Sequence, residues 1–133
     1  MSQEGQATGI VLFAHGSSVE EANTGVHEVA KQVQAQGPYD FVRAAFLELA
    51  HPDLGEAVEQ AVEAGLRRVI VIPYFLTMGI HLRRDLPNLL APQKRKYPDL
   101  TVDVGQPLEG HPSMASLILE RVQEVIGAHR STR

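Results

Sequence analysis

Short apolar runs alternate along the chain with segments whose apolar residues recur at helical spacing. Gly9-Ile-Val-Leu-Phe-Ala14 reads as a buried strand that ends at the turn His15-Gly16-Ser17-Ser18. Ser18 with Glu21 three residues on predicts a capping box and a helix starting there. The stripe expected to be buried is Ala22, Val26, Val29, Ala30 and Val33, with Gly37-Pro38 as the stop. A second strand is expected over about 40–47, then a turn over 48–52. Asp53 is placed to cap a second helix, with stripe Leu54, Ala57, Val58, Ala61 and Val62, closing at Gly65.

Val69-Ile-Val-Ile72 is β-branched throughout and reads as the third strand, closed by Pro73. Residues 74–82 lack periodicity and read as a loop of apolar flavour. Asp85 is expected to cap a third helix, with Pro87 in its first turn, an end near Tyr97 and a break at Pro92. A fourth strand over about 100–104 precedes a last helix whose apolar face is Met114, Leu117, Ile118, Val122 and Val125. The tail from Ala128 is expected to fray.

Strict βαβαβαβα alternation predicts a three-layer α/β/α fold with a four-stranded parallel sheet covered on both faces. Right-handed crossovers favour the order 2-1-3-4. In that order the chain reverses between strands 1 and 3, so a ligand crevice is expected at their carboxyl ends. His15 and the loop carrying Tyr74 to His81 reach that edge, and strand 2 brings Glu48 to it. One domain over 1–133, with its core at about 9–126, suits 133 residues.

Composition narrows the chemistry. No cysteine is present, which excludes disulfides, thiolate zinc sites and iron–sulfur clusters. A net charge of −4 argues against a nucleic-acid partner. The polar first eight residues do not read as a signal peptide, and no apolar run approaches the ~20 residues of a membrane span. A cytoplasmic protein with no membrane partner is therefore expected. Lys94-Arg95-Lys96 reads as a solvated helix end. Nucleotide-binding glycine motifs and a Gly-x-Ser-x-Gly elbow are both missing. A phosphoryl-transfer role for His15 would want a neighbouring arginine, which the sequence does not supply.

The six histidines differ. His27 and His129 read as surface, His51 before Pro52 as structural, and His111 before Pro112 as a cap or rim residue. His15 and His81 are the pair that the topology sends to one crevice. Two imidazoles with the carboxylate of Glu48 suit a first-row divalent cation, and an incomplete ligand set leaves room for a substrate.

Five segments stand in order: Phe13-Ala-His15-Gly-Ser-Ser18, Phe46-Leu-Glu48-Leu-Ala50, 69–73, Gly79-Ile-His81-Leu-Arg-Arg-Asp85-Leu-Pro87 and Pro107-Leu-Glu-Gly-His111-Pro112. Over about 9–126 they resemble the small sirohydrochlorin chelatases of class II. The resemblance implies a chelatase-like fold and ATP-independent insertion of a divalent metal, Co²⁺ first and Ni²⁺ or Fe²⁺ as alternatives, into sirohydrochlorin. It implies His15 and His81 as metal ligands, with Glu48 as a third catalytic member. A half-size domain implies a homodimer, with no cofactor beyond the substrate metal. Ser17, Ser18, Tyr74, Phe75, Met78, Arg83 and Arg84 are the expected macrocycle contacts: apolar side chains for the ring face, arginines for its carboxylates. The helix start after Ser18 is expected to favour anions as well. A non-catalytic metal- or tetrapyrrole-binding module is the alternative from outside the enzyme class.

Overall fold

The computed structural model describes residues 7–131, and side chains as far as residue 128, so His129 lies outside the described side chains. Four strands, β1 (Thr8–Ala14), β2 (Val42–Phe46), β3 (Arg68–Pro73) and β4 (Thr101–Val104), alternate with α1 (Glu20–Gln36), α2 (Leu54–Glu63), α3 (Ile80–Lys96) and α4 (Ser113–Ser131). All strand pairs are parallel and the order is β2-β1-β3-β4, as the alternation predicts. Register runs Ala14↔Phe46 and Phe13↔Pro73, so the ends of β1, β2 and β3 finish level at one edge. That levelling sets the site.

β1 is buried along its whole length, as a central parallel strand must be. Its odd residues, Val11 and Phe13, join Val69 and Val71 in a core closed by Leu54, Val58, Leu86 and Leu90 of α2 and α3. Its even residues, Ile10 and Leu12, face Ala30 of α1 and Val42 of β2. Removing a side chain as large as Phe13, which is fully buried, costs about 3–5 kcal/mol in such a core.

The sequence-based cap of α2 is present in full. Asp53 accepts from the Glu56 N–H at 2.8 Å, and Glu56 accepts from the Asp53 N–H at 2.7 Å. His51, beside a cis bond to Pro52, is 2.8 Å from the same Glu56 carboxylate. That hydrogen bond and its charge hold His51 above the usual imidazole range and Glu56 below the usual carboxylate range. His51 is thus part of the α2 cap, the structural role expected of it.

Three local expectations are corrected. The first concerns the α1 cap. α1 starts at Glu20 behind Val19, with no side-chain cap bond, so the Ser18–Glu21 box does not form. The Ser17 hydroxyl accepts from the Val19 N–H at 3.0 Å instead, and this tighter turn delays the helix. The buried stripe of α1 is Asn23, Val26 and Ala30, while Ala22 is exposed and Val33 is 37% exposed.

α3 is the second correction. It begins at Ile80, not at Asp85, and runs through both Pro87 and Pro92. An interior proline removes one backbone bond, and burial of Leu86 and Leu90 against α2 and the sheet outweighs that local loss. The third correction is α4. Its apolar face is not buried: Leu117, Ile118, Val122 and Val125 are 45–69% exposed, and the helix continues past Ala128 to Ser131.

Candidate functional site at the carboxyl edge of the sheet

The pairing of β1 with β2 does not stop at the last ladder residue. Leu47 N–H donates to the Ala14 carbonyl at 2.9 Å, and Glu48 N–H to the His15 carbonyl at 3.1 Å. His15 and Glu48 are therefore carried side by side out of the sheet. Their side chains meet, with His15 Nε2 at 3.2 Å from Glu48 Oε2, and both remain more than half exposed. An ionised carboxylate only accepts, so Nε2–H donates, and in the neutral imidazole this leaves the lone pair on Nδ1. A histidine that donates one ring N–H to a carboxylate while presenting the other nitrogen is the usual orientation of a metal-ligating imidazole.

Gly16 makes this approach possible. Its φ is +93°, and a Cβ built there would run into the Glu48 carbonyl oxygen. Beyond it, Asn23 of α1 reaches back to the turn. Its Oδ1 accepts from the Ser17 N–H at 3.0 Å, and its Nδ2 donates to the Ser17 carbonyl at 2.8 Å. Asn23 is 2% exposed, a buried polar group with its bonds made. Sequence reasoning passed over it because it is a polar residue at a stripe position; that position is the signal that could have found it. Ser17 is thus engaged in the turn, and Ser18 is exposed beside it.

His81 arrives from the other side, in the first turn of α3 and not in a loop. Arg84 donates to His81 Nδ1 at 2.9 Å. A guanidinium is donor-only, so Nδ1 accepts and the ring proton lies on Nε2 in this arrangement. Among the described residues, no three His, Asp or Glu side chains come together as a set able to hold a metal ion. The structure brings His15 and Glu48 together and leaves His81 outside that pair.

The apolar wall is reshaped. Met78, expected on the ring face, is 7% exposed and sits in the core. Phe75 packs edge-on against Phe13 with centroids 6.0 Å apart, and Tyr74 packs on the Ala14–Phe46 cluster. Large apolar side chains left open at this edge include Val19, Leu49, Leu76 and Ile80, 54%, 66%, 66% and 78% exposed. Arg83, expected to meet carboxylates, is bound to Glu109 at 2.7 Å. Glu109 also accepts from the Met78 N–H at 3.0 Å, tying the β3–α3 loop to the segment before α4. That bridge links two motifs read separately in the sequence, and Glu109, passed over like Asn23, carries no signal in the sequence pattern. His111 accepts from the Ser113 N–H at 3.1 Å and caps the start of α4. His27 is half-buried edge-on against Phe46, less a surface residue than its helix position implied.

The two helix starts at this edge differ. α1 opens with Glu20 and Glu21, which already satisfy its positive end, so it is a poor place for an anion despite the sequence expectation. α3 opens on Gly79 with no side-chain cap and no acidic residue, and carries His81, Arg83 and Arg84 in its first turn. Free backbone N–H groups and Arg84 there favour a carboxylate. No helix among the described residues is long and apolar enough to cross a membrane.

Known proteins resemble this chain in sequence and fold. A sirohydrochlorin cobaltochelatase of Methanopyrus kandleri is 30% identical over 89% of this chain and 96% of its own length. A chloroplastic sirohydrochlorin ferrochelatase of Arabidopsis thaliana is 31% identical over 92% of this chain and 54% of its own length. The crystal structure of a putative cobalamin (vitamin B12) biosynthesis CbiX protein from Marinobacter aquaeolei matches at a TM-score of 0.80 and 27% identity, over 91% of this chain and 98% of that one. The cobalt complex of the sirohydrochlorin chelatase SirB from Bacillus subtilis shares the fold at a TM-score of 0.82 and 22% identity, and this chain spans 51% of it. The CbiX family profile runs from residue 9 to residue 125, through both histidines, Glu48 and Glu109, and the chain belongs to that family.

Proposed function

We propose that this chain is a sirohydrochlorin metal chelatase that inserts a divalent ion without ATP, with Co²⁺ as its metal. The observation that carries the reading is the His15–Glu48 pair, 3.2 Å apart and open to solvent at the carboxyl edge of the sheet. Insertion exchanges two pyrrole N–H protons for one M²⁺. His15 Nδ1 offers the lone pair that holds the metal or takes a proton, and Glu48 orients that ring and balances its charge. His81 is the second ligand. Leu49, Leu76 and Ile80 provide apolar contact for the ring, and the start of α3 with Arg84 receives a peripheral carboxylate. Two copies assemble so that each supplies a half-site.

Arg84 then has two positions. On His81 it occupies Nδ1; on a substrate carboxylate it frees that nitrogen. Arg84→Ala is expected to tighten Co²⁺ binding about 10-fold with no macrocycle present, the scale of a change in a ligand's hydrogen-bond partner, and to raise KM for the macrocycle. Calorimetric metal titration beside steady-state kinetics reads both, and unchanged metal affinity would remove Arg84 from this role.

Iron is the second reading, favoured by the 31% identity to the Arabidopsis ferrochelatase. Parallel insertion assays with Co²⁺, Ni²⁺ and Fe²⁺, followed by the shift in tetrapyrrole absorbance, decide it. Cobalt is expected to give the highest kcat/KM, and a higher value for iron or nickel reassigns the metal.

A further inference from the structure

The turn that carries His15 is gripped from two sides. On the β2 side, the His15 carbonyl accepts from the Glu48 N–H at 3.1 Å. On the α1 side the grip is a single side chain. Asn23 Oδ1 accepts from the Ser17 N–H at 3.0 Å, and Asn23 Nδ2 donates to the Ser17 carbonyl at 2.8 Å. One hydrogen bond leaves a peptide free to pivot about it; two of opposite sense fix its position and its direction together. The joint between the two grips is Gly16, at φ +93° and with no side chain to restrict it. Without the amide, His15 would hang between an anchored strand end and an unanchored glycine.

Asn23 is costly where it stands. It is 2% exposed and shares the buried stripe of α1 with Val26 and Ala30. Asparagine favours a helix less than alanine or leucine does, and burying an amide is unfavourable until its groups are bonded. Packing alone would be met by an apolar residue. The residue present is one whose end carries a donor and an acceptor at once. Aspartate, of the same shape, would set a second oxygen against the Ser17 carbonyl.

We propose that Asn23 is a positioning residue of the metal site. By clamping Ser17 it fixes the path of Gly16, and so holds the His15 ring against Glu48, 3.2 Å away, with the other ring nitrogen left for the cation. Asn23 touches neither metal nor macrocycle itself. The assignment rests on the chelatase reading of His15 and Glu48, and extends it to a buried residue behind the site.

Asn23→Leu keeps the volume and loses both bonds, while Asn23→Asp keeps the shape and loses the donor. In each, Co²⁺ affinity without macrocycle is expected to fall about 10-fold, the scale of a lost outer contact to a metal ligand. kcat for insertion is expected to fall about 30-fold, as for a reacting group displaced by about 1 Å, with KM for the macrocycle unchanged. Val58→Ala, fully buried in the core beneath α2, is the control. It is expected to lower Tm at least as much and to leave Co²⁺ affinity and kcat at the parent values. Calorimetric titration and steady-state kinetics, run well below each Tm, read all three variants. Parent-like affinity and kcat in both Asn23 variants overturn the assignment. Equal losses in Val58→Ala, or a loss confined to KM, overturn it as well by marking a structural role. Loss of helical circular dichroism in both Asn23 variants does the same. An unaltered chain that binds Co²⁺ without turnover defeats the chelatase reading alone, and the affinities then decide Asn23. An unaltered chain that binds no Co²⁺ overturns both.

Discussion

His15→Ala and His81→Ala are each expected to abolish metal insertion while leaving the fold intact. The His15 side chain is 58% exposed and its partner Glu48 56%, so neither contributes packing whose loss would unfold the chain. His81 is likewise exposed, in the first turn of α3. What is lost is the lone pair offered to the cation, and among the described residues no cluster of three metal-ligating side chains stands ready to replace it. Glu48→Gln is expected to cost less, about 100-fold in kcat, because the amide oxygen still accepts from His15 Nε2 while the negative charge is gone. Thermal melting within a few degrees of the parent, measured beside the assay, separates loss of chemistry from loss of fold. Full activity in both alanine variants would sink the assignment.

Gly16→Ala is expected to fail differently, losing stability and activity together. The backbone at Gly16 sits at φ +93°, where a side chain is strained, and the added carbon meets the Glu48 carbonyl oxygen, part of the backbone and unable to swing aside. Relief requires the His15–Ser17 turn to part from the end of β2. That breaks the Glu48 N–H to His15 carbonyl bond and separates the two site residues. A cost of about 3 kcal/mol, on the order of a 10 °C fall in Tm, follows from strain and a lost contact of this kind. Gly25→Ala is the control. It lies inside α1 with open space around it, and alanine there is expected to raise stability by about 0.5–1 kcal/mol. Equal melting temperatures for the Gly16 variant and the parent would remove the close approach from the account.

The sheet was legible because its signals are local and redundant. β1 and β3 are short apolar runs ended by His15-Gly16 and Pro73, and the alternation with helices leaves few parallel orders. The site was legible in part for the same reason. Once the order is 2-1-3-4, His15 and Glu48 must leave the sheet side by side, and they do at 3.2 Å. What resisted reading depends on contacts distant in sequence. The cap of α3 lies at Gly79, six residues before the expected Asp85, because Pro87 looks like a first-turn residue until the burial of Leu86 and Leu90 is known. Asn23 and Glu109 act through backbone N–H and carbonyl groups of other segments, which no periodicity marks. The expected burial of the α4 stripe assumed that a helix covers its own sheet, and here it does not.

The most direct measurement for the central claim is multiple-turnover insertion of Co²⁺ into sirohydrochlorin by the unaltered chain, under anaerobic conditions and with substrate in large excess over enzyme. Metallated product is expected to accumulate to many equivalents per chain, well above the uncatalysed rate. Product or bound tetrapyrrole that stops at one equivalent, with no rate above background, would contradict it and mark the protein as a binder.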